Sequence, residues 1–140
     1  MLILDTDHLS ILDRDTIEAF NLGRRLAAIP REEVFVAIIT YEEQMRGWFA
    51  VIAQAKTTPQ QIEAYRKLRR FIDQYGQINL VDYEAEAAGN FEKLRQGKMR
   101  VGTKDLRIAA ICLANGATLL TRNAKDFRQV PGLKFEDWSV

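Results

Sequence analysis

The chain has 140 residues, 47% of them apolar and 28% charged, with a net charge of +1. That balance fits one folded domain with its own core, residues 1–140, and excludes a disordered chain or one drawn as a whole to nucleic acid. With no apolar run long enough to cross a bilayer, no secretory leader pattern and one cysteine, Cys112, the sequence predicts a cytoplasmic protein without an internal disulfide.

The first element sets the frame. Met1 to Leu4 is apolar and is followed at once by Asp5, the pattern of a buried parallel strand whose end meets a site. His8 to Arg14 reads as a short helix with Thr6 or Asp7 as its cap. Thr16 to Ala28 reads as a second, with Ile17, Phe20 and Leu26 as buried positions, and Ile29-Pro30-Arg31-Glu32 breaks it. Val34 to Ala37 is a second buried strand. Thr40 and Glu43 then have the spacing of a capping box, opening a helix with Tyr41, Met45, Trp48, Phe49 and Ile52 on one stripe. Thr57-Thr58-Pro59 starts the next helix, striped by Ile62, Tyr65, Leu68 and Ile72 and stopping near Gly76.

Ile78 to Val81 is a third strand, and Tyr83 to Arg95 a helix that turns Ala87, Phe91 and Leu94 inward. A basic loop, Gln96 to Gly102, leads to a helix from Lys104 to Asn115 that Thr103 would cap and Gly116 would close. This helix is apolar nearly all round and therefore central. Ala117 to Thr121 is a fourth strand, Lys125 to Phe127 a turn, and Leu133 to Phe135 a last edge strand. Strands alternating with helices predict a three-layer α/β/α fold on a mainly parallel central sheet of four to five strands.

Three acids share one address in that scheme. Asp5 ends a strand, Glu43 falls in the first turn after the second strand, and Asp105 falls in the first turn of the central helix. Strand ends and the starts of the following helices lie on one edge of a parallel sheet, so the three carboxylates can converge. Oxygen ligands of this kind suit Mg²⁺ or Mn²⁺. Asn123 and Asp126 reach the same edge after the fourth strand. Taken singly, each acid is also explained by the helix macrodipole, and Glu43 by its capping box; the coincidence of all three favours a metal site. Cys112 reads as core, His8 as a first-turn helix residue, and the run Arg66 to Arg70 as a solvated helix face.

Asp5-Thr6-Asp7-His8-Leu9-Ser10, Thr40-x-x-Glu43-x-x-x-Gly47, Asp105-x-x-Ile108-Ala109 and Leu120-x-Arg122-Asn123-x-x-Asp126-Phe127, in that order over essentially the whole chain, resemble the PIN domain. Within it they are similar to the VapC-type ribonuclease toxins of bacterial toxin–antitoxin pairs. The resemblance implies a Mg²⁺- or Mn²⁺-dependent endoribonuclease with Asp5, Glu43 and Asp105 as metal ligands, an RNA substrate, an antitoxin that blocks the site, and a homodimer. A dication would supply water activation and charge neutralisation, removing the need for a histidine base in a chain with only His8. Asn123 stands where the family has a fourth acid, with Asp126 nearby to assist, and the doubled Glu42-Glu43 leaves the second acid's register open by one residue. Gln44 replaces a common leucine.

Lys98, Arg100 and Lys104, flanking Asp105, and Arg122 and Lys125, beside the last strand end, form the expected RNA-binding rim, with Thr6 beside the acids. The two long helices would form a hairpin whose groove takes an antitoxin helix, with Trp48 and Phe49 as partner contacts. Two other functions fit parts of the pattern. Asp5-x-Asp7 is similar to the nucleophile motif of haloacid dehalogenase-like phosphatases, though their later paired-acid motif is poorly matched. A catalytically silent PIN-like binding module is the other, and the intact acidic trio opposes it.

Overall fold

A computed structural model describes residues 1–140. Five short strands, β1 (Leu2–Leu4), β2 (Val34–Ala37), β3 (Asn79–Val81), β4 (Thr118–Leu120) and β5 (Lys134–Glu136), form one sheet in the order β3-β2-β1-β4-β5. Every pairing is parallel, and Leu4 stands level with Val36 on one side and Leu120 on the other. The carboxyl ends of the three central strands therefore form a common edge; Asp5 N–H bonds Leu120 C=O at 3.0 Å, and Thr121 N–H bonds Glu136 C=O of the edge strand β5 at 2.9 Å.

Side chains alternate across this sheet, as the pleat requires. Ile3 and Leu119 join one core with α5 (Ala85–Gln96) and α6 (Thr103–Asn115). Leu4, Val36 and Leu120 join a second core with Ile11 of α1 (Thr6–Ile11), Leu22 of α2 (Ile17–Ala27), and Phe71 and Tyr75 of α4 (Thr58–Tyr75). Tyr41, Met45 and Trp48 of α3 (Ile38–Gln54) pack on that second core, and a short α7 (Ala124–Phe127) follows β4. This is the three-layer α/β/α arrangement expected. The central helix α6 buries Leu106 and all of Ile108 to Cys112, and Gly116 closes it at φ 60, where a Cβ is disfavoured.

Several local expectations are corrected. The first helix starts at Thr6, and its cap is Asp5 itself. The third starts at Ile38 directly after β2, so Thr40 lies inside it, fully buried, and forms no capping box. Gly102, not Thr103, caps α6. Ile17 and Phe20 face outward and Leu22 is the buried residue of α2, because the chain terminus lies against that helix: Asn21 Nδ2 donates to Ser139 C=O and an Arg25 guanidinium N–H to Asp137 C=O. In α4 the buried stripe is Ala64, Phe71 and Tyr75, with Leu68 half-buried, while Ile62, Tyr65 and Ile72 stay exposed. Tyr41 decides that rotation by stacking on Phe71 and meeting Tyr75 edge-on. No helix is long and apolar enough to cross a membrane.

Candidate active site

Asp5 leaves β1 in extended geometry and turns the chain into α1, its Oδ1 accepting the His8 N–H at 2.7 Å. Only 6% of the residue is exposed. Burial pushes its carboxyl up to about 6, against the pull of hydrogen bonds from the Thr121 side chain and the His8 N–H, and the charges of Asp7 and Asp105 push further the same way. Asp105, half-buried in the first turn of α6, is also raised: burial is the main cause, then the charges of Glu43 and Asp126. Acids distant in the chain thus meet here: Asp105 acts on Asp5, and Glu43 and Asp126 act on Asp105.

Glu43 lies beyond the first turn of α3 and has a different anchor from the one its spacing suggested. Thr6 Oγ1 sits between Glu43 Oε1 at 2.8 Å, which accepts its proton, and Thr40 Oγ1 at 3.1 Å. Threonine 40 therefore serves a contact 34 residues away rather than its own helix end. The doubled acids differ in their partners. Glu42 is bonded to Lys104 and Arg46, and Lys104 holds its carboxyl below the usual range. Glu43 is the one that meets Thr6 and acts on Asp105.

Beside these acids opens a cavity of about 530 Å³ with no apolar side chain on its wall, which includes Asp5, Thr6, Asp7, Asp105, Arg122 and Asn123. Glu43 and Asp126 are not on that wall, though the charges of both act on Asp105. Asn123 and Asp126 form a closed pair. Asn123 Oδ1 accepts the Asp126 N–H at 3.3 Å, and its Nδ2 donates to Asp126 Oδ2 at 2.9 Å. Asn123 faces the cavity while orienting Asp126, so both fourth-position candidates stand at one place with different geometry.

The basic residues divide. Arg122 lines the cavity and grips Asp7 through two bonds of 2.7 and 2.9 Å, which hold the Asp7 carboxyl below its usual range. Lys104 is engaged by Glu42, and Lys98, Arg100 and Lys125 are exposed and off the cavity wall. Trp48 is half-buried against Phe71, with ring centroids 6.2 Å apart, beside a small cleft that Lys67 and Arg70 also line, whereas Phe49 is 54% exposed and outside that cleft. The expected partner contacts thus differ in setting, Trp48 at a cleft and Phe49 on the open surface.

The donor set fits a hard dication: Asp5 and Asp105 present carboxylate oxygens to a polar cavity, and both resist ionisation in its absence. Ligand atoms of Asp5, Asp7 and His8 also lie within 4.8 Å of one another. Asp7 is committed to Arg122, and His8 Nε2 to the Trp138 N–H at 3.3 Å, so this second grouping is not free as a set. Ser10 and Arg14 also line the cavity, and Thr121, a polar residue just past an apolar strand, bonds Asp5; nothing local in the sequence marks Arg14.

The family model for the PIN domain matches residues 2–133. The Ribonuclease VapC2 of Rickettsia felis is 34% identical over 65 residues, 44% of this chain and 48% of that protein, so the chain spans about half of that relative's length. The Ribonuclease VapC1 of Haemophilus influenzae strain R2866 is 28% identical over 112 residues, 79% of this chain and 78% of that protein. Among solved structures, the VapBC2 complex of Rickettsia felis bound to a DNA fragment from its promoter aligns with a TM-score of 0.71 at 24% identity, over 98% of each chain. That likeness speaks for the fold alone.

Proposed function

Because the chain belongs to the PIN domain family, we propose that it is a Mg²⁺- or Mn²⁺-dependent endoribonuclease and the toxin of a type II toxin–antitoxin pair. The observation that carries the reading is the approach of Asp5, Glu43 and Asp105, from β1, α3 and α6, to one polar cavity, with Asp5 and Asp105 both held above the usual carboxylate range, chiefly by burial. Asp5 and Asp105 would hold a dication directly and Glu43 would complete the set. When bound, the ion supplies water activation and neutralisation of charge on the scissile phosphate. The chain's own groups do the rest. Thr6 orients Glu43, Asn123 orients Asp126, and Arg122 offers a guanidinium to phosphate at the cavity wall, with Asp7 as its resting partner.

Lys98, Arg100, Lys104 and Lys125 supply the outer, salt-sensitive part of RNA binding. The named relatives are ribonucleases, one solved neighbour is a VapBC assembly on DNA, and no helix is fit to cross a membrane; these support a partnered RNA-cleaving enzyme. By that analogy the partners are an antitoxin, contacting Trp48 and Phe49, and a second copy of the chain. Family membership removes the haloacid dehalogenase-like reading. A silent binding module would have no need of so costly a carboxylate cluster. Expression without a partner tests the proposal: wild type should arrest growth and fragment RNA, and Asp5→Ala should do neither. Purified wild type that leaves RNA intact in Mg²⁺ and in Mn²⁺ would overturn it.

A further inference from the structure

His8 is the only histidine of the chain and is fully buried beneath the site. Its ring is tied to the far end of the sequence: Nε2 accepts the main-chain N–H of Trp138 at 3.3 Å. An N–H aimed at Nε2 leaves no room for a proton on that nitrogen, so the ring carries its proton on Nδ1. Asp137 Oδ1, 3.6 Å from Nε2, is already occupied by the Ser139 N–H and hydroxyl, and offers the ring no competing bond. Nδ1 is the one buried side-chain nitrogen or oxygen without a hydrogen-bond partner. It lies 3.8 Å from Asp5 Oδ1, just beyond bonding distance. A histidine kept only for packing has no reason to leave a buried donor unmatched against a carboxylate.

We propose that His8 is a positioning residue for Asp5: its Nδ1–H, set by the Trp138 main chain, closes on Oδ1 when Asp5 ligates a dication. Together with the His8 N–H, already 2.7 Å from the same oxygen, this fixes Oδ1 and with it the orientation of the carboxylate. The inference rests on the metal-site reading above. It also assigns a role to the terminal segment. Residues 137–139 are held on α2 by Asn21 and by Arg25, whose guanidinium lies 4.5 Å over the Trp138 ring, so the segment that sets the tautomer is itself clamped.

Nitrogen-15 NMR of the wild-type protein tests this without ambiguity, since one histidine gives one pair of ring resonances. The expected result is a protonated Nδ1 and a bare Nε2 in EDTA, with the Nδ1 resonance moving on saturation with Mg²⁺. The opposite tautomer overturns the inference. So does an unmoved Nδ1 while the amides of Asp5 and Asp105 respond, a result that leaves the metal-site reading standing. If nothing in the site responds to Mg²⁺, both fall. Calorimetry adds a chemical check: His8→Phe should weaken Mn²⁺ binding by about 10-fold or more, the range for groups that orient metal ligands. His8→Asn, which returns an N–H donor near the Nδ1 position, should stay within roughly threefold, and equal losses in the two variants contradict the proposal.

Discussion

Asparagine at position 5 should stabilise the metal-free protein, and by a pH-dependent amount. The Asp5 carboxyl is raised from an ordinary 3.8 to about 6, chiefly by burial. At about 1.36 kcal/mol per pH unit, ionising it in the folded state costs about 3 kcal/mol above pH 6. For an acid with a raised value, the native state holds the proton more tightly than the unfolded chain. Stability from this group is therefore complete below about pH 3.8 and lost as pH rises through 6. Asn keeps the size of the side chain and the Oδ1 that accepts the His8 N–H, and is as good an N-cap as Asp. Asp5→Asn should thus melt higher than wild type in EDTA at pH 8, by roughly 5–10 °C, given that about 1 kcal/mol moves a domain of this size by a few degrees. The gain should shrink steadily towards pH 4, and Mg²⁺ should raise the melting temperature of wild type but not of the variant. Thermal scans at pH 4, 5, 6 and 8 in EDTA decide it. A gain that is absent at pH 8, or equal at pH 4 and pH 8, refutes the reasoning.

Other outcomes follow from the same geometry. Glu43→Gln should lower RNA cleavage by about 100-fold or more, while Glu42→Gln, which loses only the exposed contacts with Lys104 and Arg46, should stay within a few-fold in the same assay. Arg122→Ala should change stability by less than about 1 kcal/mol, since its bond to Asp7 is solvent-exposed, yet reduce the slope of log binding constant against log salt by about one in an RNA titration. Gly116→Ala should destabilise by about 1–2 kcal/mol in urea, because φ 60 at the end of α6 strains a Cβ even though space is open there.

Much of the fold was legible because it rests on local rules. Apolar runs ended by polar residues gave β1 and β4, an apolar run gave β2, and Gly116 gave the end of α6. Asp5 and Asp105 were legible for the same reason: each sits where a strand or loop becomes a helix. Thr40 misled because its capping-box spacing is a local pattern, whereas its hydroxyl is used by Thr6, 34 residues away. The faces of α2 and α4 were misread because each helix has two plausible apolar stripes, and distant partners choose between them: residues 137 and 139 for α2, Tyr41 for α4. His8 looked like an ordinary first-turn residue because the group that fixes its ring is the main chain of Trp138, 130 residues on.

The most direct measurement is the anomalous scattering of Mn²⁺ in crystals of the protein. The account predicts a peak within coordination distance of carboxylate oxygens of both Asp5 and Asp105, with Glu43 turned towards it. A peak held by Asp7 and His8 instead, or a saturated crystal with no ion between Asp5 and Asp105, would contradict it.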